Sequence, residues 1–130
     1  MPHIIVEYSQ SLSVSLKMGD LVEALHAEAV GIEALPIGGL RVRAHPTAMA
    51  KVGDGKEDRN FIYITVRLGQ GRSAEVKCDI GERLFAVLTD FTALHFEAGH
   101  ALSLGLEIQE IEKDWTWKKN NIHQILKGES

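Results

Sequence analysis

Pro2 offers a kind of chemistry that few residues of this 130-residue chain can supply. A proline at the first position of a processed chain carries a secondary amine, which can accept a proton and return it. Removal of Met1 would create that amine, and small second residues such as proline generally permit the removal. While Met1 is retained, the same nitrogen belongs to an amide and is not basic. Pro2 is therefore a candidate general base that depends on processing.

Two arginines are candidates for holding an acidic substrate beside that amine. Arginine binds a planar carboxylate through two parallel hydrogen bonds, and it also stabilises negative charge that develops on an enolic oxygen. Arg41 lies in the strand-like segment GGLRVRAH. Arg72 precedes a predicted helix, whose N-terminal N–H groups favour anions. Arg43 shares a strand face with Arg41, and we expect it to pair with a carboxylate or to support the site from behind.

The surroundings of the amine would tune it for proton transfer. An amine that lies near cations and is partly removed from water has its charged form disfavoured, so its pKa falls towards neutrality. Pro2, Arg41 and Arg72 together therefore predict a site that binds a small organic acid and moves a proton on it.

The remaining glycine and cysteine signals have ordinary structural interpretations. Gly69 and Gly71 match neither the dinucleotide-binding fingerprint nor the P-loop, and they indicate a tight turn. Cys78 has no neighbouring histidine, so a buried or idle thiol is expected rather than a nucleophile.

The histidines and tryptophans do not predict a metal or nucleic-acid site. His95 and His100 are five residues apart, off a common helical face, and they straddle Gly99, so we expect no metal. Trp115 and Trp117 suit either packing between subunits or the lining of a neighbouring subunit's site, and the sequence does not decide between these roles.

Two halves of the chain share the order strand, helix, strand. In the first half, the periodicity of apolar residues predicts a strand over 3–8, a helix over 18–29 that ends at a left-handed Gly31, and a strand over 40–45 before a turn at Pro46. In the second half, it predicts a strand over 61–68, a helix from an N-cap at Ser73 to near Gly99, and a strand over 102–108. A short terminal helix is predicted over NNIHQIL.

These elements predict an α+β fold of βαββαβ order, in which one four-stranded sheet carries two helices on one face. Residues 1–130 are expected to form a single domain. The first strand is nearly apolar on both faces, which predicts burial against another subunit and hence a homo-oligomer.

The same topology would bring the candidate residues together. If the first two strands are parallel, both begin at the same edge of the sheet, which places Pro2 near Arg41. If the third strand returns antiparallel, its far end reaches that edge and delivers Arg72.

Composition narrows the classes of function. The formal net charge is −4, which argues against an extended nucleic-acid footprint and requires any positive site to be local. No apolar run approaches the length of a membrane span, so no membrane function is expected. A single cysteine and the absence of a signal-peptide pattern predict a cytoplasmic protein.

Four blocks carry a resemblance to a known family: PHIIVEYS, GGLRVRAH, LGQGRS and WKKNNIHQIL. Their order and spacing, from Pro2 to about Leu126, resemble the 5-carboxymethyl-2-hydroxymuconate isomerase family of the tautomerase superfamily. The resemblance implies a homotrimer that catalyses, without cofactor, a 1,3-keto-enol shift in a hydroxymuconate from aromatic catabolism, a dicarboxylate or tricarboxylate. It also implies that Pro2 shuttles the proton and that Arg41 and Arg72 match the family's arginines. Segment 46–50 lacks the aromatic residue often found there in relatives, which leaves the substrate open.

Other activities remain compatible with these residues. One is a tautomerase for another enol acid such as phenylpyruvate, or a decarboxylase or dehalogenase that uses the same proline. Another is a non-catalytic, ferredoxin-like module that binds a small acid between subunits, because that fold shares the element order.

Overall fold

A computed structural model describes residues 1–129; Ser130, the last residue of the predicted domain, lies outside them. The strands are β1 (His3–Ser9), β2 (Arg41–Thr47), β3 (Asn60–Gly69) and β4 (Leu102–Ile111). The helices are α1 (Leu12–Ser15), α2 (Met18–Val30), α3 (Ala74–Glu97) and α4 (Ile122–Glu129), with short 3₁₀ turns at Ile37–Gly39 and Lys113–Trp115. The predicted βαββαβ order is confirmed, and α1 is an addition that the polar segment before α2 did not reveal.

The strand order in the sheet is β2-β1-β3-β4. β1 runs parallel to β2 and antiparallel to β3, and β4 runs parallel to β3. His3 at the start of β1 lies opposite Arg41 on one side and Arg67 on the other. The start of β1, the start of β2 and the end of β3 therefore share one edge of the sheet, as the strand directions predicted.

One face of the sheet packs against α2 and α3 and forms the hydrophobic core. Alternate residues of β1 and β3 point into it, and α2 and α3 contribute residues at helical spacing; the buried set includes Ile4, Val6, Ile62, Ile64, Val66, Leu21, Leu25, Ile80, Leu84 and Leu88. Each such side chain contributes about 1.5–3 kcal/mol when fully buried. This burial fixes the two helices on one face, as predicted, and holds the strand register that the site depends on.

The opposite face of the sheet is polar. On β1 it presents His3, Ile5 and Glu7, none of them buried, while the intervening residues face the core. The prediction that β1 is apolar on both faces was therefore wrong on this side, because only Ile5 is apolar there. The neighbouring strand adds Arg41 and Arg43 to the same face.

Two boundary predictions were also wrong. Gly31 ends α2 with φ −80°, in the right-handed region, because a tight turn continues the helix path and Ile32 N–H donates to Ala29 O. Pro46 does not end the second strand; it lies within β2, opposite Tyr8. β2 is an edge strand, where a missing N–H donor is tolerated.

Two other predictions hold. Gly71, with φ +115°, makes the tight turn after β3, and Ser73 caps α3 by accepting a hydrogen bond from Val76 N–H at 3.2 Å. Among residues 1–129, no helix is both long enough and apolar enough to span a bilayer.

Candidate active site

Pro2 is buried at the edge of the sheet where β1 and β2 begin. Its carbonyl oxygen accepts a hydrogen bond from Arg41 N–H at 2.9 Å, so the parallel ladder already begins at this residue. The 3₁₀ turn before β2 packs directly on the N-terminus: a Cβ at Gly39 would lie 3.1 Å from Met1 Cα and 3.4 Å from Pro2 Cδ. Backbone hydrogen bonding and this close approach together fix the position of Pro2.

The N-terminal amine sits in a cationic environment. In the structure this amine belongs to Met1, which is half-buried, and the Pro2 nitrogen is an amide. Burial lowers the pKa of the Met1 amine, and the charges of Lys118, Arg72 and Arg41 lower it further. The edge of the sheet thus brings Arg41 and Arg72 close enough to the chain start to influence a basic nitrogen there.

Arg41 is half-buried and only partly engaged by the protein. Its Nη1 donates to the carbonyl oxygens of Gly38 at 3.3 Å and Leu40 at 3.1 Å. Its Nε and Nη2 make no hydrogen bond, and no carboxylate pairs with it, in the part of the chain that the structure describes. Arg41 therefore retains both positive charge and donors for an incoming anion.

Arg72 has a second, structural task. Its Nε and Nη2 donate to Ala34 O at 3.1 and 2.7 Å, and its Nη1 donates to Gly69 O at 3.1 Å. The guanidinium thereby connects the loop after α2 to the end of β3. Since a guanidinium has five N–H groups, these bonds leave two of them for a ligand.

Arg43 does not pair with a carboxylate, contrary to one of the two expectations for it. Its Nη1 lies 3.0 Å from Nδ1 of His3, across the β1–β2 pair. Burial lowers the pKa of His3, and Arg43, Arg67, the N-terminal amine and Arg41 lower it further. Arg43 thus contacts His3, which lines the cleft described next, and does not line that cleft itself.

A cleft of about 500 Å³ opens beside the N-terminus, and we call it the N-terminal cleft. Its walls come from the chain start, the end of β3 and the segment after β4: Met1, His3, Gly69, Gln70, Ile111, Lys113, Thr116, Trp117, Lys118 and Lys119. Three lysines and no acidic residue line it. Arg41 and Arg72 influence the Met1 amine without lining the cleft themselves.

Sequence reasoning missed Lys118, which ranks first among the cations that lower the pKa of the Met1 amine. The segment that carries it is held against the chain start by Asn120, whose Nδ2 donates to Gly38 O at 2.8 Å. His123, on α4, packs its ring against Gly38, where a Cβ would collide with it. The block WKKNNIHQIL contains Lys118, Asn120 and His123. Its basic residues have no periodicity that would indicate where they lie in the fold.

The exposed Trp117 lines the N-terminal cleft of its own chain, whereas Trp115 is exposed and does not line it. Their contribution to subunit packing remains a prediction.

A second groove, between α3 and β4, has a volume of about 700 Å³ but the opposite charge. Glu82, Glu107 and Glu110 line it together with a single lysine, so it is unsuited to an anionic substrate. Cys78 also lies there; it is exposed rather than buried, and Glu82 raises the pKa of its thiol, which disfavours the nucleophilic thiolate. The N-terminal cleft is therefore the better candidate site.

His95 and His100 do not share a helical face, since α3 ends at Glu97. Gly99, with φ +80°, nevertheless turns the chain back so that the two rings lie 4.6 Å apart. Throughout residues 1–129, no group of three or more histidine, cysteine or acidic side chains is arranged to hold a metal ion.

Comparisons with known proteins agree with this arrangement. A family model described as 5-carboxymethyl-2-hydroxymuconate isomerase matches residues 2–126. The chain is 31% identical to 5-carboxymethyl-2-hydroxymuconate Delta-isomerase from Escherichia coli, over 98% of this chain and all of that protein. It is 36% identical to a 5-carboxymethyl-2-hydroxymuconate isomerase from Deinococcus radiodurans R1, with a TM-score of 0.88 over 96% of this chain and 93% of that one. A fused 4-OT wild-type asymmetric trimer, 14% identical, shares the fold, with a TM-score of 0.65 over 95% of this chain and 98% of that one.

Proposed function

The chain belongs to the 5-carboxymethyl-2-hydroxymuconate isomerase family, and on that premise we propose that it catalyses a cofactor-free 1,3-keto-enol shift in a carboxymethyl-hydroxymuconate-type substrate, with Pro2 as the base. The observation that carries the proposal is the cationic, partly buried setting of the N-terminal amine beside a cleft without acids. The family consists of isomerases, which favours an enzyme over the ferredoxin-like binding module.

Removal of Met1 would place the Pro2 nitrogen at the N-terminal cleft. Met1 lines the N-terminal cleft and Pro2 lies buried next to it, so removal of Met1 would open the Pro2 nitrogen to a bound substrate. The burial and the cations that lower the pKa of the Met1 amine would then act on the Pro2 amine one residue further along. A neutral fraction of that amine at physiological pH is what a general base requires.

A single nitrogen, that of Pro2, both removes the proton from the substrate and returns it. Pro2 removes a proton from the substrate hydroxyl, the electron pairs of the conjugated system shift, and Pro2 returns the same proton to a distant carbon. The product is an isomer of the substrate, so neither an oxidant nor a second substrate is needed.

The cations around the cleft fit a substrate with two or three carboxylates. Arg41 and Arg72 keep free N–H groups, and no acidic side chain in residues 1–129 pairs with either of them. We assign Arg41 and Arg72 to the carboxylates and to the charge that develops on the enolic oxygen. Lys118, which lines the cleft itself, adds its positive charge to theirs at the N-terminal amine.

The proposal includes a homotrimer and a role in aromatic catabolism. The fused 4-OT protein that shares the fold is a trimer, which supports the assembly. The open sheet face, with His3, Ile5 and Glu7, is half-exposed in the single chain and could pack against a second subunit. Sedimentation at several chain concentrations would measure the assembly directly.

The decisive experiment compares Pro2→Ala with the unaltered chain, after intact-mass measurement has shown whether each sample begins at Met1 or at residue 2. The substrate is 5-carboxymethyl-2-hydroxymuconate, followed by its ultraviolet absorbance, with phenylpyruvate enol assayed in parallel for the alternative tautomerase. We expect Pro2→Ala to lower kcat/KM by about tenfold or more, and a sample that retains Met1 to be inactive. Unchanged kcat/KM in either sample would refute Pro2 as the base.

A further inference from the structure

His3 lies immediately after the proposed base and lines the N-terminal cleft beside Met1. It is the first residue of β1 and is half-buried. Its neighbours across the sheet are Arg41 on β2 and Arg67 on β3. No reaction step described above uses this ring, although it lies at the cleft where substrate would bind.

The contact with Arg43 decides which ring nitrogen of His3 carries the proton. Arg43 Nη1 lies 3.0 Å from His3 Nδ1. A guanidinium has only donors, so a hydrogen bond between them requires Nδ1 to accept. In a neutral imidazole with an accepting Nδ1, the proton must be on Nε2.

Every charged group that acts strongly on His3 is a cation. Arg43 and Arg41 face it from β2, Arg67 faces it from β3, and the N-terminal amine precedes it. The other charged residues of the cleft are lysines at 113, 118 and 119. A second proton on the ring is therefore disfavoured, and the neutral Nε2–H form persists.

The Nε2–H group is also available. Within residues 1–129, His3 Nε2 has no hydrogen-bond partner. This nitrogen is not enclosed by the protein, so a ligand can reach it. A donor fixed in one tautomer, held on a strand and left without a protein partner is preorganised for a ligand oxygen.

We propose that His3 donates its Nε2–H to the substrate oxygen on which negative charge develops while Pro2 carries the proton. This role rests on the proposed isomerase function. His3 remains neutral throughout and transfers no proton, so the balance at Pro2 is unchanged. Arg43 is a positioning residue, because it acts only by setting the tautomer of His3.

Two substitutions of His3 separate the donor from the rest of the side chain. In His3→Gln the amide nitrogen can reach the position of Nε2, whereas in His3→Asn the shorter side chain can accept from Arg43 but places no donor in the cleft. A single preorganised donor is worth about 10²–10³ in kcat where an oxyanion forms. We expect His3→Asn to lower kcat about a hundredfold, with KM changed less than about threefold, and His3→Gln to recover about tenfold of that loss. His26→Asn, on the exposed side of α2, is the matched control and should leave kcat unchanged.

Substitution of Arg43 tests the positioning role without touching the cleft. Lysine is also a pure donor and should retain the Nε2–H tautomer, whereas Arg43→Gln can donate to or accept from Nδ1 and should release it. Nitrogen-15 NMR of the imidazole rings, with the His3 signals assigned by their loss in His3→Asn, reports the tautomer directly. We expect the Nε2–H form in the unaltered chain and in Arg43→Lys, and a mixture with about tenfold lower kcat in Arg43→Gln.

The outcomes separate the two proposals. If the unaltered chain is active and Pro2→Ala is not, but His3→Asn keeps full kcat, the role of His3 is refuted while that of Pro2 stands. If the NMR shows an Nδ1–H or a doubly protonated ring at pH 7, the role of His3 is also refuted. If the unaltered chain without Met1 does not isomerise the substrate, the proposed function fails, and the role of His3 fails with it.

Discussion

Replacement of Arg72 by methionine should damage stability and substrate binding together, whereas the same change at Arg41 should damage binding alone. Methionine resembles the apolar stem of the arginine side chain but removes every donor. Arg72 makes three hydrogen bonds to the carbonyls of Ala34 and Gly69, at 2.7–3.1 Å. Bonds from a charged donor contribute about 1.5–3 kcal/mol each when buried. Because the residue is half-exposed and water can replace part of this, we expect a loss of about 2–3 kcal/mol.

The expected loss in the free energy of unfolding is smaller for Arg41→Met than for Arg72→Met. Its two bonds reach carbonyls within three residues of itself, at 3.1 and 3.3 Å, and both come from the same nitrogen. We expect Arg41→Met to lower the free energy of unfolding by about 1 kcal/mol or less. Both variants should raise KM or lower kcat/KM by about tenfold or more, because each removes a cation assigned to carboxylate binding.

The assay pairs urea unfolding, at one fixed chain concentration, with steady-state isomerase kinetics. Arg83→Met is the matched control: Nε and Nη2 of Arg83 donate to Glu28 Oε2 at 2.8 and 2.6 Å, between α2 and α3 and away from the cleft. It should lose about 1 kcal/mol of stability with unchanged kcat/KM. If Arg72→Met is as stable as Arg41→Met, the structural task of Arg72 is refuted. If Arg83→Met loses as much kcat/KM as Arg72→Met, the kinetic effect reflects instability rather than anion binding.

Two further predictions concern acid stability and the C-terminal segment. The pKa of His3 is lowered by folding, so below about pH 6.5 the unfolded chain takes up a proton that the folded chain resists, and stability falls as pH falls from about 7. The drop in Tm between pH 7.5 and 5.5 should therefore be smaller in His3→Gln than in the unaltered chain, and an equal drop would contradict this cause. Asn120→Ala removes the hydrogen bond to Gly38 O and the one that Asn120 Oδ1 accepts from Ile122 N–H, and should raise KM about threefold or more. Asn121→Ala, whose side chain makes no hydrogen bond within residues 1–129, is its control.

The order and direction of the first strands could be predicted from the sequence because each strand is encoded by the residues within its own segment. A β-branched run after Pro2 and alternation around Arg41 indicated two strands, and the crossover rule made them parallel, so the shared edge followed without any knowledge of side-chain packing. The helix cap at Ser73 is likewise encoded by the residue itself.

Features that failed to follow from the sequence depend on distant partners. The segment that carries Lys118 is held by a hydrogen bond from Asn120 to the carbonyl of Gly38, and a backbone carbonyl leaves no mark in a sequence. The pairing of His3 with Arg43 requires a diagonal contact across two strands, which alternation alone does not specify. The ring contact of His95 with His100 follows from a left-handed glycine between them, which a helical projection cannot represent.

The N-terminal cleft joins Met1 to residues 113–119, which lie far along the chain from it. At about 5–20 residues per second, the ribosome needs roughly 6–23 s to reach Lys118 after Met1 has been made. During that interval an aminopeptidase meets Met1 without the wall that later partly buries it. On the proposal that Pro2 is the base, removal of Met1 is therefore easiest before this wall forms, because the folded chain half-buries Met1 in the cleft where substrate would bind.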